Sequence, residues 1–348
     1  MKYKEVLLGD IADVQWGDTS TTKAKYTNDG YKAFSASGND GNLPYYDYDR
    51  EGIVLSAIGA ACGRFWYTSG KWSCIKNTIR FWSIDENICL TKYLFYAINP
   101  KSWIISGSAQ PFITLKSARN YRLRLPDLET QKKIVRILSV LDQKIELNNS
   151  NSRVLYSLAE SIFKERFKDK KYGDGTVGDY IMPKRGKALL SKDTIEGSVP
   201  VVAGGLEAAA RHNKSNTSAP VVTISASGAN AGFVRLWGEK VWSSDSSFID
   251  DSITKNVYFW YVLLKSRQKE IYDAQTGSAQ AHIYPKHIAD MPIGNISDEE
   301  ISKYNNLVTP MFEKIALNDA ANMELSAIRD SLLPKLMSGE ISLDKVVV

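Results

Sequence analysis

The sequence has few cysteines and no long apolar run, features that disulfide-bonded, zinc-binding and membrane proteins require. Its three cysteines, Cys62, Cys74 and Cys89, are an odd number confined to the first third of the chain, without Cys-x-x-Cys spacing. This pattern argues against a disulfide framework and against a structural zinc site. No apolar run reaches the roughly 18 residues of a membrane helix, and no signal-peptide stretch follows the first residues. We therefore expect a cytoplasmic protein that does not enter a membrane.

Patterns typical of catalysis are missing too. No Gly-x-Gly-x-x-Gly run follows a predicted strand. Asp127 and Asp142 resemble part of a nuclease motif, but Asp142 lies within a periodic helical stretch, where no strand presents it to a Mg²⁺ ion. The three histidines, His212, His282 and His287, have no evident serine or cysteine nucleophile arranged with them. The sequence therefore predicts a protein without catalytic residues, metal or cofactor.

What the chain does have is length and an ordinary globular composition. Its 348 residues suffice for about two domains of roughly 150 residues each. Hydrophobic residues make up 43% and charged residues 24%, which excludes a chain that is disordered or rod-like throughout. The net charge of +5 comes from a mildly basic excess before residue 297, followed by an acidic block. Such an excess allows nucleic-acid binding without requiring it.

The strongest signal is an internal repeat, in which short segments return in the same order at a nearly constant offset. The matched pairs are Leu8-Gly9-Asp10-Ile11 (then Gly17) with Val177-Gly178-Asp179-Tyr180 (then Gly186), Ser56-Ala57-Ile58-Gly59-Ala60 (then Gly63) with Ser225-Ala226-Ser227-Gly228-Ala229 (then Gly232), Trp72-Ser73 with Trp242-Ser243, Gly107-Ser108-Ala109-Gln110 (then Ile113) with Gly277-Ser278-Ala279-Gln280 (then Ile283), Leu125-Pro126 with Met291-Pro292, and Lys144-Ile145-Glu146-Leu147-Asn148 with Lys314-Ile315-Ala316-Leu317-Asn318. Collinear matches of this kind indicate two copies of one unit.

Within each copy the residue pattern changes once, from β-type runs to a helical periodicity. Residues 1–128 carry short β-type runs punctuated by glycine, asparagine and serine, with one helix predicted over 91–98. From Glu129 to Tyr172 there is neither glycine nor proline, and apolar residues recur at intervals of three and four. A helix of about 40 residues would be roughly 60 Å long. The predicted organisation is a β-rich domain over 1–128, a long helix over 129–170, a second domain over 171–296 and a second long helix over 297–348.

The two predicted helices share a seam of apolar residues that includes polar positions. Its members are Ile134, Leu138, Leu141, Ile145, Asn148, Ser152, Leu155 and Ile162 in the first helix, and Tyr304, Val308, Met311, Ile315, Asn318, Asn322 and Leu325 in the second. One interpretation is that each helix packs on its own domain; the one we prefer pairs the helices antiparallel, since each is the partner of matching length. We expect Pro310 to bend the second helix or to delay its regular part. The predicted fold class is α+β: two mostly β domains separated by two long antiparallel coiled-coil helices, with an internal pseudo-twofold repeat.

Two segments stand at the helix boundaries: Leu125-Pro126-Asp127-Leu128-Glu129-Thr130-Gln131-Lys132-Lys133-Ile134, and Leu332-Leu333-Pro334-Lys335-Leu336-Met337-Ser338-Gly339-Glu340-Ile341. Together with the alternation of domain and helix, they resemble the specificity (S) subunit of type I restriction-modification systems. The second helix departs from the pattern, because its start at Ser297-Asp298-Glu299-Glu300-Ile301 lacks the proline and glutamine of the first.

The resemblance implies a non-catalytic reader of double-stranded DNA. Each β-rich block would be a target recognition domain for one half of a split, asymmetric sequence, and the helices would set the gap between the halves. The same helices would dock two methyltransferase subunits and, through them, motor-nuclease subunits. We take the docking helices to be those marked by Ile134, Leu138, Leu141, Ile145, Asn148, Val308, Ile315, Asn318 and Leu325.

Candidate DNA-contacting residues lie in the repeated turns and where the two copies differ. They are Ser37, Asn39, Arg64, Gln110, Lys116, Gly205, Arg211, Asn213, Lys214, Arg235, Gln280, His282 and Lys286. Glutamine can form two hydrogen bonds with adenine, and lysine or arginine suits phosphates. We expect the three histidines, His212, His282 and His287, to face solvent or DNA. The alternatives are that the glutamines satisfy backbone groups at the start of a strand and that the basic run around Arg211 is a solvated loop.

Two other functions remain open at this stage. One is the separate recognition subunit of a type II enzyme that cuts beside its site. The other is a two-domain adaptor that binds protein or carbohydrate and has no preference among DNA sequences.

Overall fold

The computed structural model describes residues 3–277 and 280–341, which form two compact units. Unit 1 lies within residues 1–143 and 325–348, and unit 2 comprises residues 144–324. Each unit therefore holds one β-rich domain together with part of both long helices. The α+β class with two β-rich domains and two long helices packed together is confirmed.

The domain of unit 1 contains two four-stranded sheets and a separate strand pair. Its elements are β1 (Tyr3–Leu7), α1 (Leu8–Ile11), β2 (Ala12–Trp16), β3 (Tyr31–Ser35), β4 (Gly38–Leu43), β5 (Tyr48–Asp49), β6 (Gly52–Ser56), β7 (Phe65–Thr68), β8 (Lys71–Cys74), β9 (Thr78–Ser83), α2 (Thr91–Ala97), α3 (Leu115–Arg119) and β10 (Arg122–Pro126). The sheets have the strand orders β2-β9-β6-β7 and β4-β3-β8-β5, and β1 pairs with β10. Helix α2 falls where the sequence predicted it.

The domain of unit 2 repeats this topology with shorter strands. Its elements are β11 (Gly175–Thr176), β12 (Lys184–Arg185), β13 (Val199–Val202), β14 (Ala210–His212), β15 (Val221–Ser225), β16 (Val234–Trp237), β17 (Trp242–Ser243), β18 (Ser246–Ile249), α5 (Val257–Ser266), α6 (Gln268–Asp273), α7 (Pro285–Ala289) and β19 (Pro292–Ile293). The order β12-β18-β15-β16 matches β2-β9-β6-β7, and the parallel contact of β13 with β17 matches that of β3 with β8. The two domains are copies of one fold.

Close approach of the backbone explains a repeated glycine. Gly17 and Gly186 follow β2 and β12, where another segment crosses. A Cβ atom on Gly17 would lie 2.7 Å from the carbonyl oxygen of Ile75, and one on Gly186 would lie 2.5 Å from that of Ser243. No side chain larger than hydrogen fits at either position, so both copies keep the glycine.

Two of the matches drawn from the sequence are wrong in register. Two pairs of equivalent backbone hydrogen bonds align the copies. In the first pair, Asp18 N–H donates to the Cys74 carbonyl, and Lys187 N–H donates to the Ser243 carbonyl. In the second pair, Leu8 N–H donates to the Tyr121 carbonyl, and Val177 N–H donates to the Met291 carbonyl. Trp242 therefore corresponds to Ser73 and not to Trp72, and Met291 corresponds to Tyr121 and not to Leu125. A two-residue match can arise by chance, whereas hydrogen-bond register is imposed by the backbone.

The two long helices are α4 (Leu128–Phe167) and α8 (Asp298–Ser338). Asp127 caps the start of α4 by accepting a hydrogen bond from the Thr130 N–H at 2.9 Å. At the start of α8, Ser297 and Glu300 exchange hydrogen bonds in a capping box. Helix α8 begins before Pro310 and continues through it, so the expected delay of its regular part is wrong.

Polar seam residues join the two helices within unit 2. Asn148 donates from Nδ2 to Oδ1 of Asn322 at 2.8 Å, and Asn318 donates to the hydroxyl of Ser152 at 3.1 Å. These two contacts are equivalent under the repeat, as expected for helices related by a pseudo-twofold axis. Farther along, Tyr304 donates to the carbonyl of Ala159 at 2.9 Å, which shows that the helices run antiparallel.

Each helix also packs on a domain, so both interpretations of the apolar seam hold in different places. In unit 1, Ile134 and Leu138 of α4 are fully buried in one core with Leu94 of α2 and Leu336 of α8. The core of unit 2 includes Phe163 of α4. None of the described helices combines the length and the apolar character that a membrane span requires.

Candidate nucleic-acid interface

The same pair of neighbouring turns is built in both domains. The backbone bonds that join the turns are Gly59 N–H to Pro111 O and Ile113 N–H to Ala57 O in unit 1, and Gly228 N–H to Ala281 O and Ile283 N–H to Ala226 O in unit 2. All four are between 2.8 and 3.0 Å long. The two strongest repeats in the sequence thus meet in space, and they form one exposed edge of each domain.

The loop that carries the glutamine needs glycine at its start. Gly107 and Gly277 have φ angles of +83° and +99°, a region that side chains disfavour. A Cβ atom at either position would lie within 2.4 Å of the carbonyl oxygen of Gln110 or Gln280. The loop in unit 2 includes Ser278 and Ala279, which lie outside the described residues.

The side chains of Gln110 and Gln280 are exposed, and neither forms a hydrogen bond within the described part of the chain. The alternative in which these amides satisfy a backbone group is therefore not what the structure has. An exposed amide next to a rigid turn is available to a base edge, although base contact itself stays a prediction.

In unit 2 a chain of polar contacts leads along this edge. Arg185, at the end of β12, donates from its guanidinium to Oδ1 of Asp245 at 2.7 Å, and the Ser227 hydroxyl donates to Oδ2 of the same carboxylate. Ser227 in turn forms a β-bridge with His282. We define edge cluster 2 as Arg185, Ser227, Asp245, Gln280 and His282. Sequence reasoning missed three of these residues, although Arg185 directly precedes the repeated Gly186 and Ser227 lies inside a repeated turn.

At the equivalent positions unit 1 has no charged residue, and three of the five residues are apolar. The backbone register places Trp16, Ile58, Asn77, Gln110 and Phe112 where edge cluster 2 has Arg185, Ser227, Asp245, Gln280 and His282. We call this set edge cluster 1. Trp16 and Phe112 are each 38% exposed. The two edges share a backbone and differ in chemistry.

Two of the candidate arginines already have partners in the chain. Arg235 donates to the carbonyl of Leu206 and pairs with Glu207 at 2.7 Å, while its guanidinium lies over the ring of Trp237. Arg211 donates to the carbonyl of Ser198. Arg235 therefore holds the loop that contains Gly205.

One histidine differs from its expectation. His212 is only 5% exposed, and its Nδ1 accepts a hydrogen bond from the backbone N–H of Ile195 at 3.0 Å. It occupies the buried position that Leu43 has in unit 1, because the register of β14 points this side chain inward. The expectation that it faces solvent or DNA is wrong.

The remaining candidates are surface residues without a shared site. Ser37 lies in the turn between β3 and β4, and Lys116 and Lys286 lie on the equivalent short helices α3 and α7. Those that are exposed are Ser37, Asn39, Arg64, Lys116, Gly205, Asn213, Lys214 and Lys286. Their roles stay predictions.

The residues that marked the docking helices are largely occupied by the chain itself. Ile134, Leu138 and Val308 are fully buried, and Asn148 and Asn318 are 3% and 2% exposed between the helices. Leu141, Ile145, Ile315 and Leu325 are half-buried. A partner that docks on these helices has to use their other faces.

The remaining observations concern the reactivity of the cysteines and metal binding. Burial raises the pKa of the Cys74 and Cys89 thiols to about 12, which keeps them protonated and unreactive. Within residues 3–277 and 280–341, no three His, Cys, Asp or Glu side chains come together as a metal site.

Comparison with known proteins shows which family the chain resembles. Residues 1–155 match the model of the type I restriction modification DNA specificity domain. The MjaIX specificity subunit of Methanocaldococcus jannaschii is 24% identical over 315 residues, which cover 76% of this chain and 72% of that protein. Residues 1–155 thus match the DNA specificity domain of type I restriction-modification systems, and over three quarters of its length the chain is similar to a specificity subunit of such a system.

A second curated protein and a solved structure give the same likeness. The HindI specificity subunit of Haemophilus influenzae is 32% identical over 127 residues, covering 34% of this chain and 28% of that protein. A crystal structure of the type I restriction-modification S subunit from M. genitalium shares the fold, with a TM-score of 0.59 at 20% identity, over 97% of this chain and 96% of that chain. The likeness to this structure shows the fold, and the matched DNA specificity domain over residues 1–155 is the part that points to DNA.

Proposed function

We propose that this chain is a specificity subunit that reads a split, asymmetric target in double-stranded DNA. The domain over 1–128 binds one half-site and the domain over 171–296 binds the other, and the paired helices set the spacing. The subunit itself catalyses nothing and needs no cofactor; two methyltransferase subunits and, through them, motor-nuclease subunits supply the chemistry. What carries the proposal is the duplicated edge, in which one backbone presents two different sets of side chains. Two such edges suit two unlike half-sites.

Exposed apolar residues at repeated positions support docking of two like subunits. Leu147 of α4 and Leu317 of α8 are equivalent in the repeat and are 52% and 65% exposed, and Leu158 and Ile328 form a second equivalent pair at 47% and 48%. Large apolar side chains that stay exposed at matching places favour an interface at each of them. One partner on each helix follows from the repeat.

Exchange of a domain tests the assignment of half-sites. Residues 1–125 are replaced by the same region of a relative, and the chain is co-expressed with the modification subunit of its own system. Mapping methylated motifs by single-molecule sequencing should show one half of the motif changed and the other retained. A change in both halves would contradict the proposal, and a complex without any sequence preference would favour an adaptor.

Single substitutions test the docking surface. Leu147→Asp and Leu317→Asp should each lower the number of bound methyltransferase subunits from two to one, and the double variant should bind none. Native mass spectrometry of the co-expressed complex gives the count. Ile84→Asp is the matched control, since Ile84 is 64% exposed in unit 1 but lies on neither helix. Two bound subunits on the double variant would remove the docking surface from these positions.

Insertion of one heptad at equivalent points of α4 and α8 tests the ruler. The spacer between the two halves of the methylated motif should lengthen, while the bases read in each half stay the same. An unchanged spacer in an active complex would remove the measuring role from the helices.

A further inference from the structure

Edge clusters 1 and 2 differ most sharply at the end of one strand. β2 ends at Trp16 in unit 1, and its counterpart β12 ends at Arg185 in unit 2; each of these residues directly precedes the repeated glycine. The strand partners are Ile79 and Ser247, which confirms that the two positions are equivalent. A cation therefore stands in unit 2 where unit 1 has an aromatic ring.

The side chain of Arg185 is held in place and still accessible. One terminal nitrogen donates to Asp245, and the other N–H groups of the guanidinium form no hydrogen bond within the described residues. The Arg185 side chain is 41% exposed. Asp245 is fixed in turn by a hydrogen bond from the hydroxyl of Ser227. The carboxylate therefore holds the guanidinium of Arg185 in one orientation.

A fixed and partly free guanidinium has a specific use on DNA. Its two parallel N–H donors match O6 and N7 of guanine in the major groove, the commonest specific contact between protein and base. A phosphate contact would not require the buttress of Asp245 and Ser227, because phosphates accept from mobile lysines and arginines equally well. Trp16 and Asn77, at the corresponding positions of unit 1, cannot present such a fork.

We propose that Arg185 reads a guanine in the half-site bound by unit 2, with Asp245 and Ser227 as positioning residues, and that unit 1 has no corresponding guanine contact. This inference rests on the proposed function, since it takes the repeated edge as the DNA-reading surface. It adds the base, the residue that reads it and the reason the two half-sites differ.

The test uses the complete chain in complex with its co-expressed methyltransferase subunits. Binding is measured on duplexes in which each base pair of the methylated motif is changed in turn. The unmodified complex should require a G·C pair at one position of the unit 2 half-site. Arg185→Ala should lower discrimination at that position alone, roughly 10- to 100-fold. Asp245→Asn should lower it at the same position by less, because the fork stays but loses its orientation.

Lys184→Ala is the matched control, because it removes one positive charge from the neighbouring residue of the same strand, whose side chain points to the opposite face. It should leave the motif unchanged. Trp16→Ala should act on the other half-site only. Thermal unfolding compares the fold of all variants.

Three results would overturn the inference: no G·C pair in the unit 2 half-site, an Arg185→Ala variant with the original motif, or an equal loss of affinity for every sequence with a weaker salt dependence. The last would make Arg185 a phosphate contact. If the unmodified complex bound all duplexes equally, the proposed function would fail first; retained sequence preference with a negative Arg185 result refutes this inference alone.

Discussion

In units 1 and 2, different residues attach a long helix to the β-rich domain. In each unit a buried amide on a long helix binds backbone groups at the start of a short helix. In unit 1, Oε1 of Gln131 accepts from the N–H of Leu90, just before α2, at 2.9 Å. In unit 2, Oδ1 of Asn305 accepts from the N–H of Tyr258, in α5, at 3.1 Å. Asn305 takes over this role one turn farther along its helix, which explains why the start of α8 lacks the glutamine.

Other contacts between the long helices and each domain differ more. In unit 1, Asp142 of α4 accepts hydrogen bonds from the hydroxyl of Tyr96 and from Arg329 of α8 at 2.5 and 2.9 Å. In unit 2 the helices meet the domain through rings, with Phe163 5.5 Å from Phe259 between ring centroids. The comparison shows that the two copies share glycines where backbone segments approach closely and buried amides that bind backbone groups. The other contacts between helix and domain differ.

The aromatic junction should be the most sensitive point. Phe163→Ala leaves a cavity among Phe167, Phe259 and Tyr304, and we expect it to destabilise unit 2 by about 3–5 kcal/mol. Hydrogen exchange followed peptide by peptide should show the loss in unit 2 and unchanged protection in the β-sheets of unit 1. Leu158→Ala, on the exposed face of the same helix, is the control. Equal loss in both units would mean that they unfold together.

The buried amide of unit 1 should come next. Gln131 is fully buried and also donates to the carbonyls of Ile88 and Pro126. Gln131→Ala leaves these groups without a partner, and we expect a loss of about 2–3 kcal/mol confined to unit 1. Denaturant unfolding gives the value, with Lys132→Ala as the exposed control. A change below that of the control would show that water replaces the amide without cost.

The charged network should matter less. Arg329→Met removes the ion pair with Asp142, whose side chain is 23% exposed, and we expect a loss of about 1 kcal/mol in unit 1. The loss should shrink at high salt, whereas the effect of Phe163→Ala should not. A loss independent of salt would point to packing of the arginine stem.

The loop glutamines should have the smallest effect on stability. Gln110→Ala and Gln280→Ala should each change the free energy of unfolding by less than about 0.5 kcal/mol, because both side chains are exposed. Each should nevertheless weaken binding to one half-site, as measured with duplexes that vary one half at a time. Unaltered binding in both variants would leave these residues with no part in base recognition.

Most of the architecture could be predicted from the sequence, but only part of the candidate site could. Periodicity over 129–170 and 297–348 predicted both long helices, and Asn148 and Asn318 were correctly placed between them. The glutamine loops were found because repetition exposed them. Arg185 and Asp245 were missed because each copy holds a different residue there, so a search for similarity passes over them.

The duplication, the two long helices and the repeated glycines can be recognised in the sequence, because each leaves a local or periodic signal in the order of residues. The folded chain was needed to show which side chains share an edge, that His212 lies inside, and that Arg235 is occupied while Arg185 is partly free. These facts depend on strand register and on contacts between residues far apart in the chain, and the order of residues records neither directly.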